Sequence, residues 1–113
     1  MNIQIIGTKK CRNTKKAQMF FKERGVKFHL VDLNERELSP GELDKIIQKA
    51  GKNNIIDEES KLYKDKGFAY MDYDPREEVL ENNLLLKTPI IRFDKEVTLG
   101  YVPDKWKEFI SQA

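Results

Sequence analysis

Residues 2 to 32 constrain the fold most strongly, because they read in succession as strand, turn, helix and strand. Asn2 to Ile6 alternates Ile3 and Ile5 with polar neighbours before adding Ile6, and Gly7 closes the run. A helix is expected to begin near Asn13 or Thr14, either of which can cap its first free amides. Ala17, Phe20, Phe21 and Arg24 follow at three- and four-residue spacing, with Met19 filling a flank and Gly25 as the stop. Val26, Phe28 and Leu30 then alternate with Lys27 and His29 in a second strand ending near Asp32. Strand, crossover helix and strand make a βαβ unit with two parallel strands in one sheet, and Cys11 stands at its strand-to-helix turn.

The remainder restricts that sheet further. Ser39-Pro40-Gly41-Glu42 combines a cap, a proline at the first helical position and a glutamate at the third, followed by Leu43, Ile46, Ile47 and Ala50, with Gly51 as the stop. Asn53 to Gly67 is expected to form one or two short helices, and Asp74-Pro75-Arg76-Glu77 opens another through about Asn82. Residues 39–83 thus read as a helical insertion, too thinly apolar to fold without the strands beside it. LLLKTPIIRF then leads into a strand of Ile90 to Phe93. Asp94-Lys95-Glu96 turns it back into Val97 to Leu99, and a last helix from Pro103 carries Trp106, Phe109 and Ile110 on one face. Two adjacent strands require an antiparallel pair, which argues against a purely parallel dinucleotide-binding sheet. The expected fold class is α/β, a mixed four-stranded sheet in a single domain over residues 1–113.

Length and charge narrow the function classes. A chain of 113 residues suffices for one core and is short for two ordinary domains. MNIQIIG lacks a positively charged leader, and no apolar run approaches the roughly 20 residues that span a bilayer, so a cytoplasmic protein without membrane contact is expected. Residues 1 to 30 carry eight Lys/Arg against the single acid Glu23, whereas residues 31 to 83 carry eight against fourteen acids. The basic face suits a phosphate-like anion. Without aromatic interleaving or a recognition motif, nucleic acid is not expected as a partner.

Cys11 is the only cysteine, so it closes no internal disulfide, and any redox role needs an outside thiol. A solitary cysteine is often a small buried hydrophobe. Here Lys9, Lys10, Arg12, Lys15 and Lys16 surround it and a helix begins just beyond, and cations and free helix amides both favour thiolate. An exposed, activated cysteine is therefore the favoured reading. Pro89 reads either as an ordinary turn proline or as part of a cis Thr88-Pro89 bond beside the thiol. His29 lies on the polar phase of its strand and reads as solvated. One Cys and one His give no basis for a metal site. Tyr63, Tyr70, Tyr73 and Tyr101, with Phe68 and Met71, read as partial core.

These pieces together resemble a known family. The strand ending IIG, then TKKCRNTKKA, SPGELDKII, LLLKTPII and LGY before the last helix, are similar to the glutaredoxin-linked arsenate reductase (ArsC) family and its Spx- and YffB-like relatives, over nearly the whole chain. The resemblance implies a thioredoxin-like (glutaredoxin-like) fold with a helical insertion. It also implies a cysteine that attacks arsenate, an adduct displaced by glutathione, and a thiol regenerated by glutaredoxin. Cys11 falls on that nucleophile. The family's oxyanion-holding arginine before the strand proline is Thr88 here, the insertion arginine's place falls at Asp57, and none stands near Gly100. The second cysteine of the Spx-type switch would fall at Thr14.

Two functions are therefore expected to compete. One is a thiol oxidoreductase that uses Cys11 as catalytic nucleophile, with Lys9, Lys10, Arg12, Asn13, Thr14, Lys15, Thr88 and Pro89 around the anion or substrate, no bound cofactor, and glutathione or glutaredoxin as co-substrate. The other is a non-enzymatic, Spx-like regulatory module that binds a protein partner.

Overall fold

The structure is a computed structural model that describes residues 2–112. By compactness these fall into two units, one formed by residues up to Arg36 with those from Thr88 onward, the other by Glu37–Lys87.

The first unit contains the sheet. Strands β1 (Ile3–Gly7), β2 (His29–Asp32), β3 (Ile90–Phe93) and β4 (Glu96–Leu99) lie in the order β2-β1-β3-β4. β1 pairs parallel with β2, with Ile5 beside Leu30, and antiparallel with β3, with Ile5 opposite Ile91. The β3–β4 hairpin is antiparallel and turns through Asp94, which adopts φ 51°, a conformation that aspartate tolerates better than bulkier residues. This is the mixed four-stranded sheet expected from the residues, in a thioredoxin-like α/β fold.

Helices α1 (Arg12–Glu23) and α5 (Pro103–Ser111) complete this unit. Ala17, Phe20 and Phe21 of α1 and Trp106 and Phe109 of α5 pack with Ile3, Ile5, Ile91 and Phe93 into one buried cluster. The Trp106 indole is fully buried and its N–H donates to Thr98 Oγ1 at 2.9 Å, so its one polar atom is satisfied. Arg24 closes α1 by donating to the Phe20 carbonyl at 3.1 Å, with its guanidinium 3.7 Å from the Phe20 ring centre.

The second unit holds α2 (Pro40–Ala50), α3 (Lys61–Asp65), α4 (Pro75–Glu81) and three short 3₁₀ turns. Ser39 and Glu42 form the capping box expected from the sequence, each side chain accepting from the other's backbone amide, at 3.2 and 3.0 Å. Asp74 caps α4 at the Arg76 amide, and Ser60 caps α3 at the Tyr63 amide. Leu43, Ile46, Ile55, Tyr63, Phe68, Val79 and Leu85 are buried. Asn83 ties the unit together: its side chain accepts from the Leu38 amide at 2.6 Å and donates to the Val79 carbonyl at 2.7 Å.

Several local expectations need correction. α1 begins at Arg12, capped by Cys11 rather than by Asn13 or Thr14. β2 begins only at His29, while Val26 and Phe28 are a half-buried lead-in packed on the cluster. Met19 is 59% exposed and fills no flank. Of the aromatic set read as partial core, Tyr63 and Phe68 are buried, but Tyr70 is 95% exposed and Met71 and Tyr101 are also exposed. Met71 and Tyr101 lie in bends between elements, and aromatic content alone does not bury a residue.

Candidate functional site

The site begins where β1 ends. Gly7 is followed by a turn in which the Cys11 amide donates to the Thr8 carbonyl at 3.2 Å, and the Cys11 carbonyl then accepts from Lys15 N at 3.2 Å as the first helical bond. Cys11 is therefore the N-cap itself, with extended φ and ψ of −75° and 115°. The free amides of the first helical turn lie on its side of the helix. No amide of that turn makes a complete hydrogen bond to Sγ, although those of Asn13 and Thr14 face it closely enough to favour the thiolate.

The opposite wall comes from the start of β3. Thr88 Oγ1 donates to the Cys11 sulfur at 3.1 Å, and the thiol lies 3.8 Å from the Thr88 carbonyl. The Thr88–Pro89 peptide bond is cis. Thr14 supplies the floor: it is wholly buried, its Oγ1 makes no complete hydrogen bond, and its side chain packs on the bare Cα of Gly7. A methyl group at Gly7 would collide with Thr14 Oγ1 and come within 2.7 Å of its Cγ2, so this close approach requires glycine.

Cys11 is half-buried rather than exposed. Burial alone would push its thiol pKa up, but the Thr14 and Thr88 hydroxyls and the Thr14 and Asn13 amides outweigh it, and the pKa lies below the ordinary thiol value. No lysine contributes to that shift. The expectation that the surrounding cations would activate the thiol is corrected accordingly, because these side chains extend into solvent. Lys10, Arg12 and Lys15 are exposed. Lys9 pairs at 3.4 Å with Glu35, both well exposed, and such a pair contributes at most about 1 kcal/mol. Lys16 lies 5.3 Å from the centre of the Tyr101 ring.

The structure thus brings Cys11, Asn13, Thr14, Thr88 and Pro89 together and leaves Lys9, Lys10, Arg12 and Lys15 as a basic rim. Thr14 is among the expected site residues, but its packing on Gly7 is not legible from the sequence, where the available signal is a threonine one helical turn after the cysteine. Among the described residues no group of three or more His, Cys, Asp or Glu is arranged to hold a metal ion, and no helix is long and apolar enough to cross a membrane.

A mixed four-stranded sheet with a thiol at the β1–α1 turn facing a cis-proline wall is a thioredoxin-like arrangement. The sequence matches the ArsC family over residues 6–109, and the chain belongs to that family. It is 29% identical over 116 residues to the global transcriptional regulator Spx 2 of Oceanobacillus iheyensis, covering 97% of this chain and 84% of that one. Its fold is shared by an ArsC family related protein from Bacteroides fragilis, with a TM-score of 0.83 at 17% identity over 96% of this chain and 99% of that one. It is shared also by an arsenate reductase from Vibrio cholerae, with a TM-score of 0.81 at 19% identity over 96% of this chain and 98% of that one.

Proposed function

We propose that this chain is a regulatory, protein-binding member of the ArsC family, in which Cys11 is a reactive single thiol without the grip needed to reduce arsenate. The observation that carries this reading is Thr88 Oγ1 at 3.1 Å from the sulfur, at the position where the family resemblance places an oxyanion-holding arginine. A hydroxyl offers one neutral donor, whereas a guanidinium offers a charged, directional fork. Loss of one such donor where charge develops costs on the order of a hundredfold in rate. Thr14 in place of a second cysteine leaves no intramolecular disulfide, so a redox response at Cys11 would use an external thiol. The likeness to a relative named as a global transcriptional regulator, over 97% of this chain, supports a protein partner. Residues 39–83 would serve as an insertion within one domain, and the proposed setting is the cytoplasm, where a reduced thiol pool keeps a lone cysteine free.

Affinity capture of the full chain from lysate of its own cells, with bound protein quantified, tests the reading. One partner recovered at near-equal molar amount is expected, and recovery of none above trace would contradict it.

The lowered Cys11 pKa favours a second reading, a thiol oxidoreductase. The Cys11 thiolate would attack the glutathione sulfur of a substrate–glutathione mixed disulfide, forming a Cys11–glutathione disulfide and releasing the substrate's own thiolate. Glutathione or glutaredoxin would then resolve the mixed disulfide by attacking its glutathione sulfur, returning Cys11 as thiolate. Lys9, Lys10, Arg12 and Lys15 would draw the anionic co-substrate in, and Asn13, Thr14, Thr88 and Pro89 would line its seat. Undiminished glutathione-coupled turnover in Cys11→Ser would rule out this chemistry.

A further inference from the structure

A second cluster of polar side chains lies toward the opposite end of β1, three residues and roughly 10 Å along the strand from Gly7. Strand alternation turns Ile3, Ile5, Ile91 and Phe93 into the cluster beneath α1 and α5 and Gln4, His29 and Arg92 to the other face of the sheet. The register aligns them in one row, His29 beside Gln4 and Gln4 opposite Arg92, across three adjacent strands. The next row on that face, Val31, Ile6 and Ile90, is buried and apolar. The polar row opens into a cavity of about 350 Å³ lined by Asn2, Ile3, Gln4, His29, Arg92 and Asp94.

The cavity holds one charged group of each sign, Arg92 and Asp94. Arg92 is half-buried, its Nη1 donates only to Gln4 Oε1 at a long 3.4 Å, and among the described residues neither Arg92 nor Asp94 forms an ion pair. By contrast Arg76, also partly shielded, holds Asp44 through both a 2.7 and a 3.3 Å bond. Gln4 accepts from Arg92 through its oxygen, which leaves its amide hydrogens to donate on the same face. Guanidinium, amide and imidazole thus present donors in a row about 10 Å long, given strands about 4.8 Å apart. One carboxylate is much shorter than this row, whereas alternate side chains of an extended peptide lie about 7 Å apart and reach both ends of it.

We propose that Arg92, Gln4 and His29 bind the carboxylates of an extended acidic segment of a protein partner, with the Arg92 fork as the principal contact. The proposal rests on the partner-binding reading for its purpose and adds the partner's chemistry. Asp94 gives the site polarity: it repels an acidic group placed beyond Arg92 and directs the segment toward Gln4 and His29. The site's distance along β1 leaves the Cys11 thiol open to its own chemistry while the segment is bound.

The test is a titration of the full chain with an end-blocked tetraglutamate peptide, followed by amide NMR shifts, with tetralysine as the control. Tetraglutamate is expected to shift Gln4, His29 and Arg92 and tetralysine to leave them unmoved. Arg92→Gln, with an otherwise native spectrum, should weaken binding about tenfold or more, as loss of a charge-assisted fork does, while Asp94→Asn should strengthen it. Absence of shifts at millimolar peptide, shifts confined to the basic stretch Lys9 to Lys22, equal responses to both peptides, or unchanged affinity in Arg92→Gln would each overturn the site. If any of these occurs while a stoichiometric partner is still captured from lysate, only the acidic-segment site falls and the partner-binding reading stands.

Discussion

At the scale of single residues, the thiol is governed by two hydroxyls. Thr88 and Thr14 oppose the burial of Cys11 and bring its pKa below the ordinary thiol value. Thr88→Val keeps the shape and removes one donor, so the pKa should rise, read as a shift of the iodoacetamide alkylation rate to higher pH. A pKa lowered in the folded state means that thiolate formation adds stability above the unfolded thiol value of about 8.5, and that this contribution is lost as pH falls through the lower folded value. The position of Cys11 was legible in the sequence because a lone cysteine at a strand-to-helix turn is conspicuous. The source of its activation was not. Formal charges on Lys9, Lys10, Arg12 and Lys15 are visible in a sequence, but whether they reach the sulfur is decided by side-chain direction. Contact with Thr88, 77 positions away, exists only once β3 lies beside β1.

At the scale of elements, caps were the most legible feature where side chain and backbone agree. Ser39 with Glu42, and Asp74 before Pro75, stand where the sequence places them. Ser39→Ala should lower stability by about 1 kcal/mol, measurable as a lower denaturant midpoint with an unchanged slope. The start of α1 was less legible for a physical reason. Asn13 and Thr14 have strong cap propensity, but Thr14 is committed to packing on Gly7, and the helix therefore starts earlier, at a cysteine with little cap propensity of its own. The polar phase of the strands contained a further signal. His29 read as an isolated solvated residue, and only the pairing of β2 and β3 on either side of β1 makes it and Arg92 neighbours of Gln4.

At the scale of the whole molecule, the order of elements was enough to give the sheet. A βαβ unit followed by a terminal ββα requires a mixed sheet, and the observed order β2-β1-β3-β4 satisfies it. Trp106 anchors the cluster between α1, α5 and the strands, with rings of Phe20 and Phe21 at 5.3 and 5.6 Å. Trp106→Ala should cost about 3–5 kcal/mol and also leave the Thr98 hydroxyl without its donor, visible as a fall in thermal midpoint. Membership of the ArsC family fixes the scaffold but not the activity, and the activity depends on what faces the sulfur. The most direct measurement is arsenate reduction by the full chain in the presence of glutathione and glutaredoxin, with Cys11→Ser as the blank. With Thr88 rather than an arginine at the thiol, the two rates should coincide; arsenate-dependent turnover well above the blank, lost in Cys11→Ser, would contradict the account.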